Sequence, residues 1–297
     1  MNFWKILRVL TTNACNYKCV FCHNEGQEKF VGTNSEFLKF DDFKTIVEAL
    51  EDSGLKEVQF SGGEPFMNPE TIKMIEWLNQ NTNLEIGCAT NTQFFNDEII
   101  QRLAATRICL HIQFPTLDRT KFQSITKSDL YDNLMLNLRK LKSQKVSFSL
   151  NYVLLTPSIS DFQNLLPFLF ENKISLKLLP YVNERTLKQN EFHKDILPFL
   201  DSISYKFENQ NNGSLKWWLQ TPQGSAITIK YINSPCFKFE FDICKNYAEI
   251  RLTPSLEIQS CLINAEGNLK LDTSLNGSSK ERIKELFEHS WKNFTHC

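Results

Sequence analysis

The chain has 297 residues, a formal net charge of −1 and 41% hydrophobic residues, which fits one large domain, or a domain with an extension, around a sizeable core. A balance this near neutrality gives no electrostatic basis for binding nucleic acid or a membrane surface, and no run approaches the roughly 20 apolar residues of a membrane span. Met1-Asn2-Phe3-Trp4-Lys5 lacks the charged-then-apolar order of a signal peptide, and nine cysteines then predict a reducing, cytoplasmic setting with metal ligation rather than disulfides.

Strand and helix patterns alternate through the first two-thirds of the chain. Residues 6–10 read as a strand that enters a cysteine-rich loop. Phe43, Ile46, Val47 and Leu50 stand at helical spacing, with Asp41 as a cap and Gly54 as the stop. Residues 57–60 form a strand running into Ser61-Gly62-Gly63-Glu64-Pro65, and Asn68 and Pro69 open a helix through Trp77 and Leu78. Further strands are expected at 84–90, 108–114, 146–155 and 174–179. Helices are expected at 97–105, 118–125, 130–143 and from Ser160 or Asp161 to about residue 170. This repetition implies an α/β fold with a parallel sheet and right-handed crossovers. Such a sheet can curl into a full or partial barrel with ligands at the C-terminal strand ends. Residues 183–235 read as an irregular connecting segment, with Asn209-Gln210-Asn211-Asn212-Gly213 as a loop. Trp217-Trp218 reads as the lining of a substrate mouth or as an apolar anchor. Residues 236–297 carry three interior cysteines and end in an amphipathic helix (Ile283, Leu286, Phe287, Trp291) expected to cover the barrel.

Two stretches carry chemistry. Cys15-Asn16-Tyr17-Lys18-Cys19-Val20-Phe21-Cys22 places three thiols within eight residues. Thiolates are soft donors suited to iron–sulfur clusters or zinc. Structural zinc is normally closed by four ligands, whereas a cubane on three cysteines keeps one iron open. A three-cysteine zinc site completed from elsewhere is the alternative. In Gly62-Gly63-Glu64-Pro65 two glycines after a strand let backbone approach a ligand, and Glu64 is placed to accept from an ammonium. A tight turn with a surface glutamate is the bland alternative.

Cys-x-x-x-Cys-x-x-Cys with Phe21 before its last cysteine, followed about 40 residues on by Gly-Gly-Glu-Pro, resembles the radical S-adenosylmethionine (SAM) superfamily. The resemblance implies a partial parallel (βα)6 TIM-like barrel over residues 1–182. It also implies a [4Fe-4S] cluster on Cys15, Cys19 and Cys22, whose open iron is chelated by SAM. Reductive cleavage of SAM then gives a 5'-deoxyadenosyl radical that abstracts hydrogen from substrate. The electron comes from a flavodoxin- or ferredoxin-type donor. By the same resemblance Phe21 packs near the adenine, Gly62, Gly63 and Glu64 hold the methionyl amine, and Asn91 lies near SAM or substrate.

Over residues 106–182, Leu117-Asp118, Phe122, Ile125-Thr126, Asn151-Tyr152-Val153-Leu154 and Leu178-Leu179-Pro180-Tyr181 follow in an order similar to the GTP 3',8-cyclase branch. Cys22-His23-Asn24-Glu25-Gly26 is similar to its archaeal-type version. This places Gly63, Gln113, Asn151 and Val182 among SAM contacts. That branch carries a second cluster. Here Cys244 and Cys261 match its first and third ligands, Tyr247 stands at the second, and Cys236 is the upstream replacement. An auxiliary [4Fe-4S] cluster on Cys236, Cys244 and Cys261 is the resulting expectation, with small buried apolar residues as the alternative.

The departures bear on substrate. A triphosphate needs several cations around it. Arg8 and Arg251 match two positions, but Gln59, Ser149 and Glu249 stand where the branch has cations. At about 1.5–3 kcal/mol per charge-assisted hydrogen bond, that loss disfavours GTP. The expected substrate is a small nucleoside or sugar derivative contacted by Arg8, Arg251, His111 and Tyr181. GTP, a ribosomal peptide, and a non-catalytic iron–sulfur role are the alternatives. On its own, His111 reads more readily as a satisfied interior histidine than as a substrate contact, and Cys88 and Cys109 read as core.

Overall fold

The computed structural model describes residues 5–22, 36–156, 159–181, 191, 193–211, 213–232, 249–260, 267–271 and 280–292. Val182, His23, Cys236, Cys244, Tyr247 and Cys261 lie outside them.

Strand and helix alternate as β1 (Lys5–Leu10), α1 (Phe40–Ala49), β2 (Leu55–Ser61), α2 (Thr71–Asn81), β3 (Glu85–Thr90) and α3 (Asp97–Ala104). They continue as β4 (Cys109–Gln113), α4 (Arg119–Thr126), α5 (Tyr131–Ser143), β5 (Ser147–Leu154), α6 (Ile159–Asn172) and β6 (Ser175–Pro180). The predicted elements all form, with ends shifted by a few residues. The cap differs: Lys39 precedes α1, and the Phe40 N–H is taken by Glu70 Oε2 at 2.8 Å rather than by Asp41. Gly54 ends the following turn at φ +81°.

The stretch expected to be irregular is largely regular. It holds α7 (His193–Ile203), β7 (Lys206–Asn209), β8 (Ser214–Gln220) and β9 (Ala226–Ile232). Its strands alternate with period two, but the adjacent tryptophans interrupt the pattern by placing one aromatic on each face. The predicted loop is the β7–β8 connection, where Asn211 and Gly213 take positive φ. The chain continues with β10 (Glu249–Leu252), β11 (Glu257–Gln259), β12 (Leu269–Lys270) and α8 (Lys280–Lys292). Helix α8 covers the barrel as expected, on its outer face at α1, β10 and β11, with Lys280 bridging to Glu48 at 3.0 Å.

The twelve strands among the described residues join one sheet in the order β12-β11-β10-β1-β2-β3-β4-β5-β6-β9-β8-β7. The stretch from β10 to β9 is parallel throughout. Its outward side chains, among them Leu7, Val58, Phe60, Leu110, Ile112, Leu150, Leu176 and Leu178, are fully buried under the helices. Alternate positions on the other face are polar: Arg8, Glu57, Gln59, His111, Gln113, Ser149, Asn151 and Lys177. A parallel sheet buried on both faces reads as continuous apolar runs, so this alternation marks a face that lines a cavity. The sheet curls around it. Strands β1 and β6 are five spacings apart, about 24 Å if flat, yet Arg8 and Lys177 repel each other appreciably. The end strands β12 and β7 do not pair, which leaves a partial barrel. Among the described residues no helix is long and apolar enough to cross a membrane.

Candidate active site

The cysteine loop leaves the C-terminal end of β1 and is held on two sides. On one side the Thr11 N–H donates to the Ser61 carbonyl at 3.0 Å, the Gly63 N–H to Thr12 at 2.8 Å and the Glu64 N–H to Ala14 at 2.8 Å. On the other, Lys18 and Val20 donate to the Thr126 and Ile125 carbonyls at 3.0 and 2.9 Å. Those are end carbonyls of α4 that no intrahelical donor reaches. A Cys22 N–H to Cys19 carbonyl bond at 3.1 Å closes the last turn, and half-buried Phe21 sits within it.

Among the described residues no three His, Cys, Asp or Glu side chains converge closely enough to hold a metal ion as they stand. The three thiols nevertheless share one loop and oppose each other's ionisation. Burial pushes the Cys15 thiol up to about 12, with Glu64 and Cys22 adding to it. Burial followed by Cys15 and Cys22 raises Cys19 as well. Such thiols become thiolates when a cation binds among them. The set fits a metal cluster and does not fit a free reactive thiol, which needs a lowered pKa.

The glycine motif is built onto this loop. A Cβ on Gly62, where φ is +137°, would lie 2.4 Å from the Thr12 carbonyl oxygen, and one on Gly63 would lie 1.9 Å from that of Ala14. The two glycines are therefore required by backbone stacked on backbone. Nor is Glu64 a surface residue: it is 1% exposed. Its Oε1 accepts from Thr90 Oγ1 at 2.6 Å and the Phe66 N–H at 3.2 Å, and its Oε2 from the Asn91 N–H at 2.7 Å. Burial pushes its carboxyl up to about 7 against these three donors. A carboxylate offers about four acceptor positions, which leaves one on Oε2.

Asn91, expected beside SAM or substrate, is engaged within the protein. Its Nδ2 donates to Asn16 Oδ1 at 2.7 Å, and its Oδ1 accepts from the Gln93 N–H at 3.0 Å. Gln93 Nε2 donates to the Tyr17 hydroxyl at 2.6 Å, and Asn133 Nδ2 of α5 donates to Gln93 Oε1 at 2.7 Å. A chain of amides thus ties α5 to the cysteine loop. Asn16, Tyr17, Gln93 and Asn133 were not expected at the site. Asn16 and Tyr17 lie within the cysteine motif and Gln93 in the polar run Asn91-Thr92-Gln93 after a strand, while nothing local singles out Asn133.

Deeper in the lumen, Gln113 and Asn151 are register partners on β4 and β5, Asn151 lying mid-strand rather than at a strand end. Gln113 Nε2 donates to the Asn151 carbonyl at 3.3 Å, while Asn151 Oδ1 is buried without a hydrogen-bond partner. Tyr181 follows β6, half-buried. His111 Nδ1 lies 3.0 Å from Ser149 Oγ. Burial, with Lys177, Arg8 and Lys230 nearby, holds its imidazole well below the usual range and so neutral.

The arginines assigned to substrate are bound to a carboxylate. Arg8 Nε and Nη2 each donate to Glu249 at 2.8 Å, and Arg251 Nη2 donates to the same carboxylate at 3.1 Å. Burial would raise the Glu249 carboxyl, but Arg8 and Arg251 hold it down at about 2. Two lysines absent from the sequence expectation also face the lumen: Lys177 pairs in register with Lys230 on β9. Burial, then Lys230 and Arg8, lowers the Lys177 ammonium to about 8. Cys88 is core, but Cys109 is not. It lies on the lumen face, half-buried, accepting from Ser147 Oγ at 3.7 Å. Trp217 is the apolar anchor, fully buried with its Nε1–H on Asp201 at 2.6 Å. Trp218 faces the other way, under the Lys206 and Lys216 ammoniums.

The sequence profile of the radical SAM superfamily matches residues 9–169. A probable GTP 3',8-cyclase of Pyrococcus horikoshii is 24% identical over 296 residues, covering 96% of this chain and 92% of its own. A GTP 3',8-cyclase of Clostridium perfringens is 24% identical over 295 residues, covering 96% and 88%. The crystal structure of Streptococcus suis SuiB bound to S-adenosylmethionine superposes with a TM-score of 0.71 over 98% of this chain and 68% of that one. At 15% identity it speaks to the fold. The chain belongs to the radical SAM superfamily, as an enzyme using SAM and a [4Fe-4S] cluster, and it resembles the GTP 3',8-cyclase branch.

Proposed function

We propose that this enzyme abstracts hydrogen from a small nucleoside or sugar derivative held in the barrel lumen, and that GTP is not its substrate. One observation carries this reading: Arg8 and Arg251 both engage Glu249. Cations already matched by a buried carboxylate are poor anchors for a triphosphate.

Cys15, Cys19 and Cys22 would hold the [4Fe-4S] cluster, which with SAM bound and an electron from a flavodoxin- or ferredoxin-type donor supplies a 5'-deoxyadenosyl radical. The chain's own residues bind and orient. The acceptor position left on Glu64 Oε2 suits the methionyl ammonium, with Gly62 and Gly63 giving it close backbone. Phe21 and Val182 are assigned to SAM by the resemblance, and Gln113 and the unpartnered Asn151 Oδ1 suit its polar edge. Asn91, which fixes the cysteine loop through Asn16, keeps a second amide proton that suits SAM or substrate. With Nδ1 occupied by Ser149, His111 has Nε2 left for a substrate hydroxyl, and Tyr181 stands at the lumen rim. Cys236, Cys244 and Cys261 are proposed to hold the auxiliary cluster, and a reducing, cytoplasmic setting suits both clusters.

GTP cyclisation is the second reading, favoured by 24% identity to GTP 3',8-cyclases across 96% of the chain. SuiB has also been crystallised with the precursor peptide SuiA, but at this identity that likeness bears on the fold. Anaerobically reconstituted enzyme given reductant, SAM and GTP decides between the first two. SAM cleavage without 3',8-cyclo-GTP is expected. Cyclised product at ordinary turnover would contradict the proposal.

A further inference from the structure

We propose that Asn133 and Asn137 of α5 are positioning residues for SAM binding: they hold Thr92 in a left-handed backbone conformation and through it keep the Glu64 carboxylate aimed at the methionyl ammonium. This rests on the assignment of Glu64 made above and names what holds that carboxylate in place.

Thr92 stands apart from the other residues at positive φ. Among the described residues Lys127, Lys145 and Lys173 follow helix ends, and Asn211 and Leu256 lie in hairpin connections. Thr92, at φ +66°, is the β-branched one and sits in neither setting. A branched Cβ crowds the backbone there, and such a conformation persists only where its surroundings impose it. Thr92 is fully buried and its Oγ1 has no hydrogen-bond partner among the described residues, so its own side chain does not hold it. Its backbone is held from α5. The Thr92 carbonyl accepts from Asn137 Nδ2 at 2.8 Å, and one turn earlier Asn133 Nδ2 donates to Gln93 Oε1 at 2.7 Å. Asn137 is 1% exposed on a helix face otherwise buried through Leu134, Leu138 and Leu141, a placement that costs free energy unless a hydrogen bond offsets it. On the other side of Thr92 lies Glu64. The Thr92 N–H donates to Thr90 Oγ1 at 3.0 Å, and that hydroxyl donates to Glu64 Oε1 at 2.6 Å. The Asn91 N–H donates to Glu64 Oε2 at 2.7 Å. Two of the three donors to this carboxylate therefore come from the two residues before Thr92. Rotating Thr92 out of the left-handed region re-aims those residues relative to α5 and takes both donors off Glu64.

The SAM affinity of the reconstituted, reduced holoenzyme tests this. It is read anaerobically from the change in the cluster's electron paramagnetic resonance spectrum as SAM is added, with iron content and Tm measured on the same samples. Asn137→Ala is expected to keep its iron and to need about tenfold more SAM for the half-maximal change, as for one lost hydrogen bond to a charged group. Adding Thr92→Gly to that variant is expected to bring the affinity back to within about threefold of wild type, because glycine adopts this φ without strain. An asparagine that only stabilised the fold would lower Tm and leave SAM affinity unchanged at temperatures well below the melt. Asn133→Ala, at a half-buried position, repeats both measurements should Asn137→Ala fold poorly. Wild-type affinity in the asparagine variants, or a loss that Thr92→Gly does not restore, overturns the proposal. Glu64→Gln separates it from the reading beneath it. Affinity weakened by Glu64→Gln but not by the asparagine variants overturns the positioning alone, whereas wild-type affinity in Glu64→Gln overturns the assignment of Glu64 and the positioning with it.

Discussion

At the mouth of the barrel Glu64 accepts three hydrogen bonds, two glycines lie against the backbone of the cysteine loop, and a chain of amides ties that loop to α5. A few residues deeper, Lys177 stands beside Lys230, and the carboxylate of Glu57 acts on both ammoniums. The mouth is finished before any ligand arrives, as suits a cofactor common to a superfamily, since a preorganised site loses little on binding. The lumen is less settled, since burial lowers the Lys177 ammonium there and the neighbouring Lys230 adds to it.

The largest effect is expected where the mouth cannot yield. Gly63→Ala places a methyl 1.9 Å from the Ala14 carbonyl oxygen, so two backbones must part and the cysteine loop must move. A displacement of about an ångström costs on the order of 100-fold in rate. SAM cleavage should fall by at least about that factor, with iron lost on gel filtration. Cleavage near the wild-type rate would show that the two motifs need not interlock.

Glu249→Gln probes the matched part of the lumen. Removing one partner of a buried ion pair costs about 3 kcal/mol, read by urea unfolding at pH 7. Its pH dependence has a definite sign. The carboxyl is held at about 2, below its ordinary 4.5, so its stabilisation is complete above about 4.5 and is lost as pH falls toward 2. The gap between wild type and variant should close over that window, and a gap constant from pH 7 to 3 would contradict the ion-pair assignment.

Thr90→Val removes the 2.6 Å bond to Glu64. It should cost about 2 kcal/mol, the usual range for a hydrogen bond to a charged group, measured by denaturant unfolding. Smallest of all should be Lys140→Ala, which breaks an exposed bridge to Asp97 at 2.6 Å. A change within about 0.5 kcal/mol is expected for a surface pair, and a loss equal to that of Glu249→Gln would erase the difference between buried and surface charge.

The barrel was legible in the sequence because its signals are local: period-two strands, period-3.6 helices, and two motifs whose spacing is fixed by chemistry. The lumen was not, because its partners are far apart along the chain. Glu249 reads as a lost cation when compared position by position. Only the β1–β10 pairing, which sets Arg8 opposite Arg251 and Glu249 one step along the same face, lets Glu249 reach both arginines and turns a missing charge into a neutralised one. Lys177 alternates with leucines in plain view, but nothing local tells which face of β6 lines the cavity or that Lys230 will lie beside it. The burial of Glu64, which rules out the alternative of a turn with a surface glutamate, was not legible either, since burial of a short turn depends on the loop stacked above it.

The most direct test is iron and sulfide content after anaerobic reconstitution, with SAM cleavage measured alongside, for wild type and for the Cys15/Cys19/Cys22→Ala triple variant. About eight irons falling to about four, with cleavage abolished, is expected for a SAM-binding cubane on those cysteines beside an auxiliary cluster. A variant that keeps its full iron and still cleaves SAM would contradict the assignment of that loop as the catalytic centre.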